Sequence, residues 1–289
     1  MRKTISLLAI LLVLAAAGYS QQFSLKFDAG LGSISTGDIA DGIQGMSDLL
    51  KVYYGSVGQY DVPRMGGNFY AELVYHFGSS LGIGLGSGYF FCSKQSTIAY
   101  SMDTLDVNQT IDPRVGVIPV TATLHFFPAL SSKLKLDLGA GAGLYIAHLN
   151  YEELIDVSNV ATGTLRYIYS SGGRLGYGFH AGLSLEYALS PTLALVAGVQ
   201  GRFASVKLSS GTWKESGSGA FGDYSDSGTD HTAWYFEWTP VEGDKAYPQL
   251  SFVNEAPTGA DVANVRQAKL GLTGYVFSVG VRIAFGSQD

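Results

Sequence analysis

The sequence predicts an all-β chain: an eight-stranded antiparallel up-and-down barrel that crosses a membrane, with short turns at one end and long loops at the other. Three observations carry this. Thirty-eight of the 289 residues are glycine, about 13% where ~7% is usual, and only 15% are charged where ~25% is typical. Apolar residues alternate with small or polar ones, with period two, in eight separate runs. The connections between the runs alternate between long and short.

Composition excludes several classes first. Low charge with 12% aromatic residues is not the signature of a disordered chain. A net charge of −6 repels phosphate, so no nucleic-acid partner is expected. The lone cysteine, Cys92, excludes an internal disulfide framework and a Cys-rich metal site. No cofactor is expected.

The N-terminus reads as an export signal over residues 1–20. Arg2 and Lys3 give a positive start, Ile5 to Ala17 an apolar stretch, and Ala15, Ala17, Gly18 and Ser20 a small-residue exit. Thirteen apolar residues fall short of the ~20 a spanning helix needs. Residues 21–289 are expected to form one barrel domain.

Each run puts its apolar residues on one face. In Phe23–Ser33, Phe23, Leu25, Phe27, Ala29 and Leu31 oppose Ser24, Lys26, Asp28, Gly30 and Gly32. In Gly66–Phe77, Phe69, Ala71, Leu73, Tyr75 and Phe77 oppose Glu72 and His76. In Leu81–Phe91, Leu81, Ile83, Leu85 and Tyr89 oppose four glycines. In Val115–Phe127, Ile118 to Phe126 at even positions oppose Thr121, Thr123 and His125. Pro119 fits this run badly, because proline gives the ladder no donor. Leu134–Leu144, Arg174–Tyr187 and Leu193–Phe203 repeat the pattern. The last run, Phe277–Phe285, extends back to about Val265 with a change of parity near Gly274, which suggests a bulge.

Loops of 32, 23, 27 and 57 residues (34–65, 92–114, 147–173, 208–264) follow the odd-numbered runs, and turns of 3, 6 and 5 residues follow the even-numbered ones. This matches short periplasmic turns and long extracellular loops. Each run also reaches the ~9–11 residues of a tilted membrane strand.

Alternation alone fits a soluble barrel as well, with the apolar face inside. Three features favour the inverse. The polar face is mostly glycine and hydroxyl residues, whereas a soluble surface is ~25–35% charged. Small residues suit a narrow lumen. Aromatics recur near both ends, with Tyr75, Phe77, Phe126 and Tyr187 at the turn end and Tyr89, Phe91, Tyr145, Tyr177 and Phe203 at the loop end, as two interface girdles would.

The segment Tyr275-Val-Phe-Ser-Val-Gly-Val-Arg-Ile-Ala-Phe285 resembles the C-terminal signature strand of outer-membrane barrels, although Gly-Ser-Gln-Asp follows Phe285 here. With the run count and loop pattern, residues 21–285 resemble small eight-stranded bacterial outer-membrane proteins of the OmpA, OmpX and OmpW type. The resemblance implies residence in the outer membrane among its lipid and lipopolysaccharide. It also implies that the barrel-assembly machinery reads the strand ending at Phe285. No peptidoglycan-binding domain is expected after it.

Seven charged residues fall on the inward face near the turn end: Lys26, Asp28, Glu72, Lys135, Asp137, Glu186 and Arg282. Strand order makes Arg282 a neighbour of Asp28, Lys26 of Glu72, and Lys135 of Glu186. Buried charges need partners, and eight strands leave an interior about as wide as its side chains. A salt-bridged plug is therefore favoured over a gate or selectivity ring.

No catalytic residues are assigned. The Gly82 to Gly88 and Gly139 to Gly143 spacings follow the pleat and no helix follows them, so they are not phosphate loops. No histidine has serine two places on, the element of outer-membrane deacylases and phospholipases. His76, His125 and His180 read as lumen groups. The fourth loop holds nine acidic and two basic residues and all three tryptophans, Trp213, Trp234 and Trp238. Trp234, Phe236 and Trp238 alternate, which suggests a hairpin above the membrane. These four aromatics are candidates for a surface contact; a small core of the loop's own is weighed equally. Asp226-x-Gly228-x-Asp230 lacks the twelve-residue calcium pattern, so no metal site is assigned. The expectation is a non-enzymatic outer-membrane barrel with a structural or surface-interaction role and an unknown surface ligand. A narrow passive channel for small or apolar solutes comes second, and a lipid-modifying enzyme third.

Overall fold

The computed structural model describes residues 23–208, 210–240 and 245–285, so the expected signal segment lies outside the described residues. In chain order the elements are β1 (Phe23–Ser33), α1 (Asp38–Tyr54), β2 (Met65–Phe77), β3 (Leu81–Ser93), β4 (Ser96–Met102) and β5 (Leu105–Phe126). Next come β6 (Leu134–Asn159), β7 (Gly163–Ala188), β8 (Leu193–Lys207), β9 (Gly211–Gly219) and β10 (Tyr224–Trp238). The last are β11 (Tyr247–Val253), β12 (Val262–Gln267), β13 (Lys269–Gly271) and β14 (Gly274–Phe285).

Eight strands close a ring in the order β1, β2, β3, β5, β6, β7, β8, β14 and back to β1, every neighbour antiparallel. A closed ring pairs its backbone groups strand to strand, the condition that hydrocarbon imposes. The outward residues are bare: Leu85 is 67% exposed, Leu124 66% and Phe179 66%. The inward ones are covered: Glu72 and Asp137 are each 3% exposed and Glu186 is 2%. The apolar face therefore points out and the charged face in. No helix among the described residues is long and apolar enough to cross a membrane; the strands do the crossing.

Above the membrane the polarity inverts while the pleat continues. On β6, Tyr145, Ala147, Leu149 and Tyr151 point inward and are buried, whereas His148 and Asn150 are exposed. Tyr145 is thus a core residue and not part of the outer girdle, because it sits on the inward parity of its strand. The girdle at that end consists of exposed Tyr89, Phe91, Tyr177, Phe203 and Tyr275.

The long connections are built elements. Residues 147–173 prolong β6 and β7 into a hairpin, 92–114 hold β4 and its pairing with β5, and 208–264 hold β9 to β11 and the start of β12. Strand β10 shifts register between Gly228 and His231; its first part pairs β9 and its later part pairs β11 and β12. The expected bulge at Gly274 is absent. Lys269↔Lys207, Gly271↔Ser205 and Gly274↔Arg202 lie in one register. What changes there is the lumen's chemistry, as inward Leu270 and Leu272 give way to Ser278 and Arg282. Pro119 does sit within β5. The β3–β5 ladder skips Gly88 and Tyr89 opposite it, and Ser87 Oγ donates to the Pro119 carbonyl at 2.9 Å.

Helix α1 caps the mouth. Ile39, Ile43 and Leu50 recur at helical spacing and enter the core. Asp38 and Asp41 suit its first turn and Lys51 its last. Gly55, at φ 60°, ends it in the left-handed conformation. The helix packs on β11 and touches β4. Gly45 makes the first contact possible, since a Cβ there would lie 1.9 Å from the Pro248 carbonyl oxygen.

Candidate functional site

The inward face of the ring gathers a charged network around His125. His125 Nδ1 lies 2.7 Å from Asp137 Oδ1, and its Nε2 lies 3.3 Å from Glu72 Oε1. Lys26 Nζ lies 3.5 Å from Asp28 and 3.6 Å from Asp137. Ser184 Oγ donates to Asp137 at 3.3 Å. Nearer the turns, Arg282 pairs with Glu186 and stacks over the Phe127 ring. Lys135 lines the open mouth there with His76, Glu186 and Arg282.

Of the seven charges expected inside, four (Glu72, Asp137, Lys26 and Asp28) form the network around His125, Arg282 and Glu186 pair with each other, and Lys135 stands apart at the mouth. The partners differ from those read off strand order. Lys26 does stand opposite Glu72, and Lys135 opposite Glu186, in the ladders. Arg282 stands opposite Lys26, not Asp28. The pairs Lys26–Asp137, His125–Glu72 and Arg282–Glu186 reach past a neighbouring strand, because in a tilted barrel inward side chains meet over their neighbours.

The glycine stripe of β3 makes this crossing possible. A Cβ on Gly84 would fall 2.4 Å from Glu72 Oε1 and 2.9 Å from His125 Nε2. The two side chains therefore meet over the bare backbone of β3. Tyr70 likewise lies over Gly86 and shares a 2.6 Å hydrogen bond with Thr121. Sequence reasoning found the stripe but left His125, Tyr70 and Arg202 out of the cluster. The signal was present: a bare strand between two strands with long inward side chains.

Above the network lies a chamber of about 70 Å³ lined by Asp28, Tyr70, Thr121, Gln200 and Arg202 among others. At ~10–15 Å³ per water it has room for only a handful of them. Arg202 roofs it, with its guanidinium 5.2 Å from the Phe90 ring centre and 5.9 Å from that of Tyr145, and Nε donating to the Leu272 carbonyl at 3.1 Å. Over Arg202 the bore fills with Val117, Ala147, Ala204, Leu272 and the α1 side chains. A closed ring, bare apolar flanks with aromatics at both ends, and a charged interior are now all in view. This is the architecture of an outer-membrane β-barrel. The charged stripe is its lumen, and α1 and the strand extensions form its outward-facing cap.

No family model and no curated protein matches the chain. Solved structures that it resembles include the outer membrane protein OprG from Pseudomonas aeruginosa, at 9% identity over 94% of this chain and 99% of that one, TM-score 0.40. Neisserial surface protein A follows at 15% identity, 91% and 97% coverage, TM-score 0.32. Ail, the attachment invasion locus protein of Yersinia pestis, follows at 12% identity, 92% and 100% coverage, TM-score 0.32.

The loop aromatics make internal contacts. Trp213 stacks on His231 at 4.3 Å and donates to Asp230 at 3.0 Å. Trp238 donates to Asp261. Trp234, Phe236 and Trp238 are half-buried on β10, between β11 and β12.

Among the described residues no set of three or more His, Cys, Asp or Glu side chains could hold a metal ion. Ser24 and His76 form a 2.8 Å pair inside the lumen. The His76 ring packs on Phe127 at 5.0 Å, and no carboxylate orients it as a nucleophile's base requires.

Proposed function

We propose that this barrel is a non-enzymatic anchor with a sealed lumen, which holds an acidic, aromatic ectodomain at the cell surface for contact with a partner. The support is the filling of the bore. A charged network, the Arg202 roof and an apolar plug of Phe90, Tyr145, Val117 and Leu272 follow one another along its axis. Salt-bridged lumen residues hold the strands in place and add little net stability. The purified full chain in a planar bilayer tests the seal. Silence is the expected record, and steady unitary currents would contradict it. Shortening residues 208–264 should abolish surface attachment by cells displaying the chain while the barrel persists. Unchanged attachment would overturn the ectodomain's role.

A narrow route for small apolar solutes is the second reading, favoured by the ladder gap at Pro119. An apolar hollow of about 500 Å³ lined by Phe27, Ala29, Phe69, Ala71 and Tyr89 lies on the lipid side beside that gap. Uptake of a small hydrocarbon into proteoliposomes faster than into empty ones would favour this reading over the first.

A further inference from the structure

At the short turns the bore ends in an open bowl of about 520 Å³. Three cations line it, Lys133, Lys135 and Arg282, against a single carboxylate, Glu186. Glu186 is taken by Arg282. Among the described residues no carboxylate lies within ion-pairing distance of Lys133 or Lys135. The lining therefore carries a net charge of +2. Like charges gathered in one concavity repel, and an anion between them removes that cost.

The ladders bring these cations together. The Ala188 N–H donates to the Lys133 carbonyl at 2.8 Å, Ala188 pairs with Ala194, and Ala194 pairs with Arg282. Lys133 and Arg282 thus end one row of inward residues, with only alanine methyls between them. Three steps of ~4.8 Å make ~14 Å of curved wall, a gap that two long side chains leaning into the bore can close around a small ligand. Lys135, two residues further up β6, stands over the same gap. Lys26 continues the row beyond Arg282 but is held by Asp28 and Asp137. Arg282 is itself nine-tenths buried. Its Nη1 has no acceptor, so the pairing with Glu186 leaves part of the guanidinium fork unused. Ser132 and Thr192 add hydroxyls at the edge of the bowl.

We infer that this bowl binds a phosphate dianion, free or as the monoester of a small soluble molecule, that enters from the periplasm. Charge selects the class. A phosphate monoester carries about −1.5 to −2 at pH 7 and presents three terminal oxygens, enough to meet Lys133, Lys135 and Arg282 together. A carboxylate or a phosphate diester brings a single charge and leaves the bowl half-compensated. The bowl opens along the axis, inside the ring of strands, whereas bilayer headgroups flank the outer wall. Its ligand is therefore soluble. The inference rests on the outer-membrane orientation, which turns the short connections to the periplasm, and not on the seal above the bowl or on the ectodomain's partner.

The test is isothermal titration calorimetry of the full chain in dodecylmaltoside micelles, which hold no lipid phosphate, at fixed ionic strength. The probes are inorganic phosphate, glycerol phosphate, dimethyl phosphate and acetate. Inorganic phosphate and glycerol phosphate should bind, and the singly charged dimethyl phosphate and acetate should bind about tenfold more weakly or worse. Lys133→Gln/Lys135→Gln should weaken the binding of inorganic phosphate about tenfold, since each lysine is a partly solvated contact. Lys207→Gln, on the outer wall at the opposite end, should match the parent, and an unchanged β-sheet circular dichroism spectrum certifies the fold of each variant. No heat from either inorganic phosphate or glycerol phosphate would overturn the site. Dimethyl phosphate bound as well as inorganic phosphate would overturn the dianion assignment. Parental affinity in the double lysine variant would overturn the placement in the bowl.

Discussion

Lys26 on β1 reaches Asp137 on β6, 3.6 Å away, across the full width of the bore. In the ring of eight, β6 is four strands from β1 in either direction and so stands diametrically opposite it. The contact ties together two walls of the barrel that no hydrogen-bond ladder joins. Asp137 also takes His125, so one carboxylate braces three strands.

Removing that brace should be costly. Asp137→Ala leaves Lys26 and His125 inside without their shared partner, and a broken buried pair costs about 3–5 kcal/mol. Lys26→Met/Asp137→Leu removes both members of the cross-bore pair and should recover part of that loss, the rest being the cost of leaving Asp28 without Lys26. Urea midpoints in detergent micelles measure both. Equal destabilisation by the single and double variants would mean that the ion pair is not the brace.

The bare strand under the network makes its own prediction. Gly84→Val pushes a side chain into the Glu72–His125 contact and should cost about 1–3 kcal/mol by overpacking. Gly172→Ala serves as the control, because nothing lies within 4 Å of a Cβ there. The comparison is again a pair of urea midpoints, and similar shifts for the two would show that the stripe is not required for the crossing.

The cap should come off without the barrel. Gly45→Val collides with the Pro248 backbone and should lift α1 from β11. Limited proteolysis should then cut within 34–64 while β-sheet circular dichroism is unchanged. Protection equal to the parent's would show that α1 does not depend on this contact.

The membrane part of the fold was legible because its alternation has one sense: leucine and phenylalanine outward, glycine and charge inward. The part above was not, for a physical reason. At Tyr145 the apolar side changes from the outer wall to the inner one while the pleat keeps its period. A reading that follows apolar residues loses the strand there, and the same inversion imitated a bulge at Gly274. Helix α1 hid for a different reason, as Gly42 and Gly45 weaken its helical signal and serve close packing on β11. Within the lumen, the residues were legible but their partners were not. Adjacency in the ladder names neighbours, whereas the ion pairs of Lys26 and Arg282 reach past them.

Glu153 should make the strand extensions above the membrane pH-sensitive. Its carboxyl on the inward face of β6 accepts from Gln109 and has Tyr60, Tyr100, Tyr151 and Tyr167 nearby, with no cation beside it. Burial pushes it above the usual carboxylate range, and the Gln109 bond only partly offsets this. A carboxyl raised in the folded state contributes stability that is fully present below its unfolded value of ~4.3 and is lost as pH rises through the folded value. The β4–β6 extensions should therefore loosen from pH 4 toward neutrality. Glu153→Gln should flatten that trend and tighten the region at pH 7. Amide exchange of residues 98–111 and 149–157 follows both, and a parent profile that tightens with pH would contradict the assignment.

The orientation of the wall can be measured most directly with nitroxide labels, placed one at a time at Leu85, Leu124, Phe179 and Leu183 in the lipid-reconstituted chain. The inside-out barrel requires fast collision with dissolved oxygen and almost none with a water-soluble nickel chelate at all four positions. Ready collision with the chelate, or burial from both reagents, would place these side chains in water or in a shared core and contradict it.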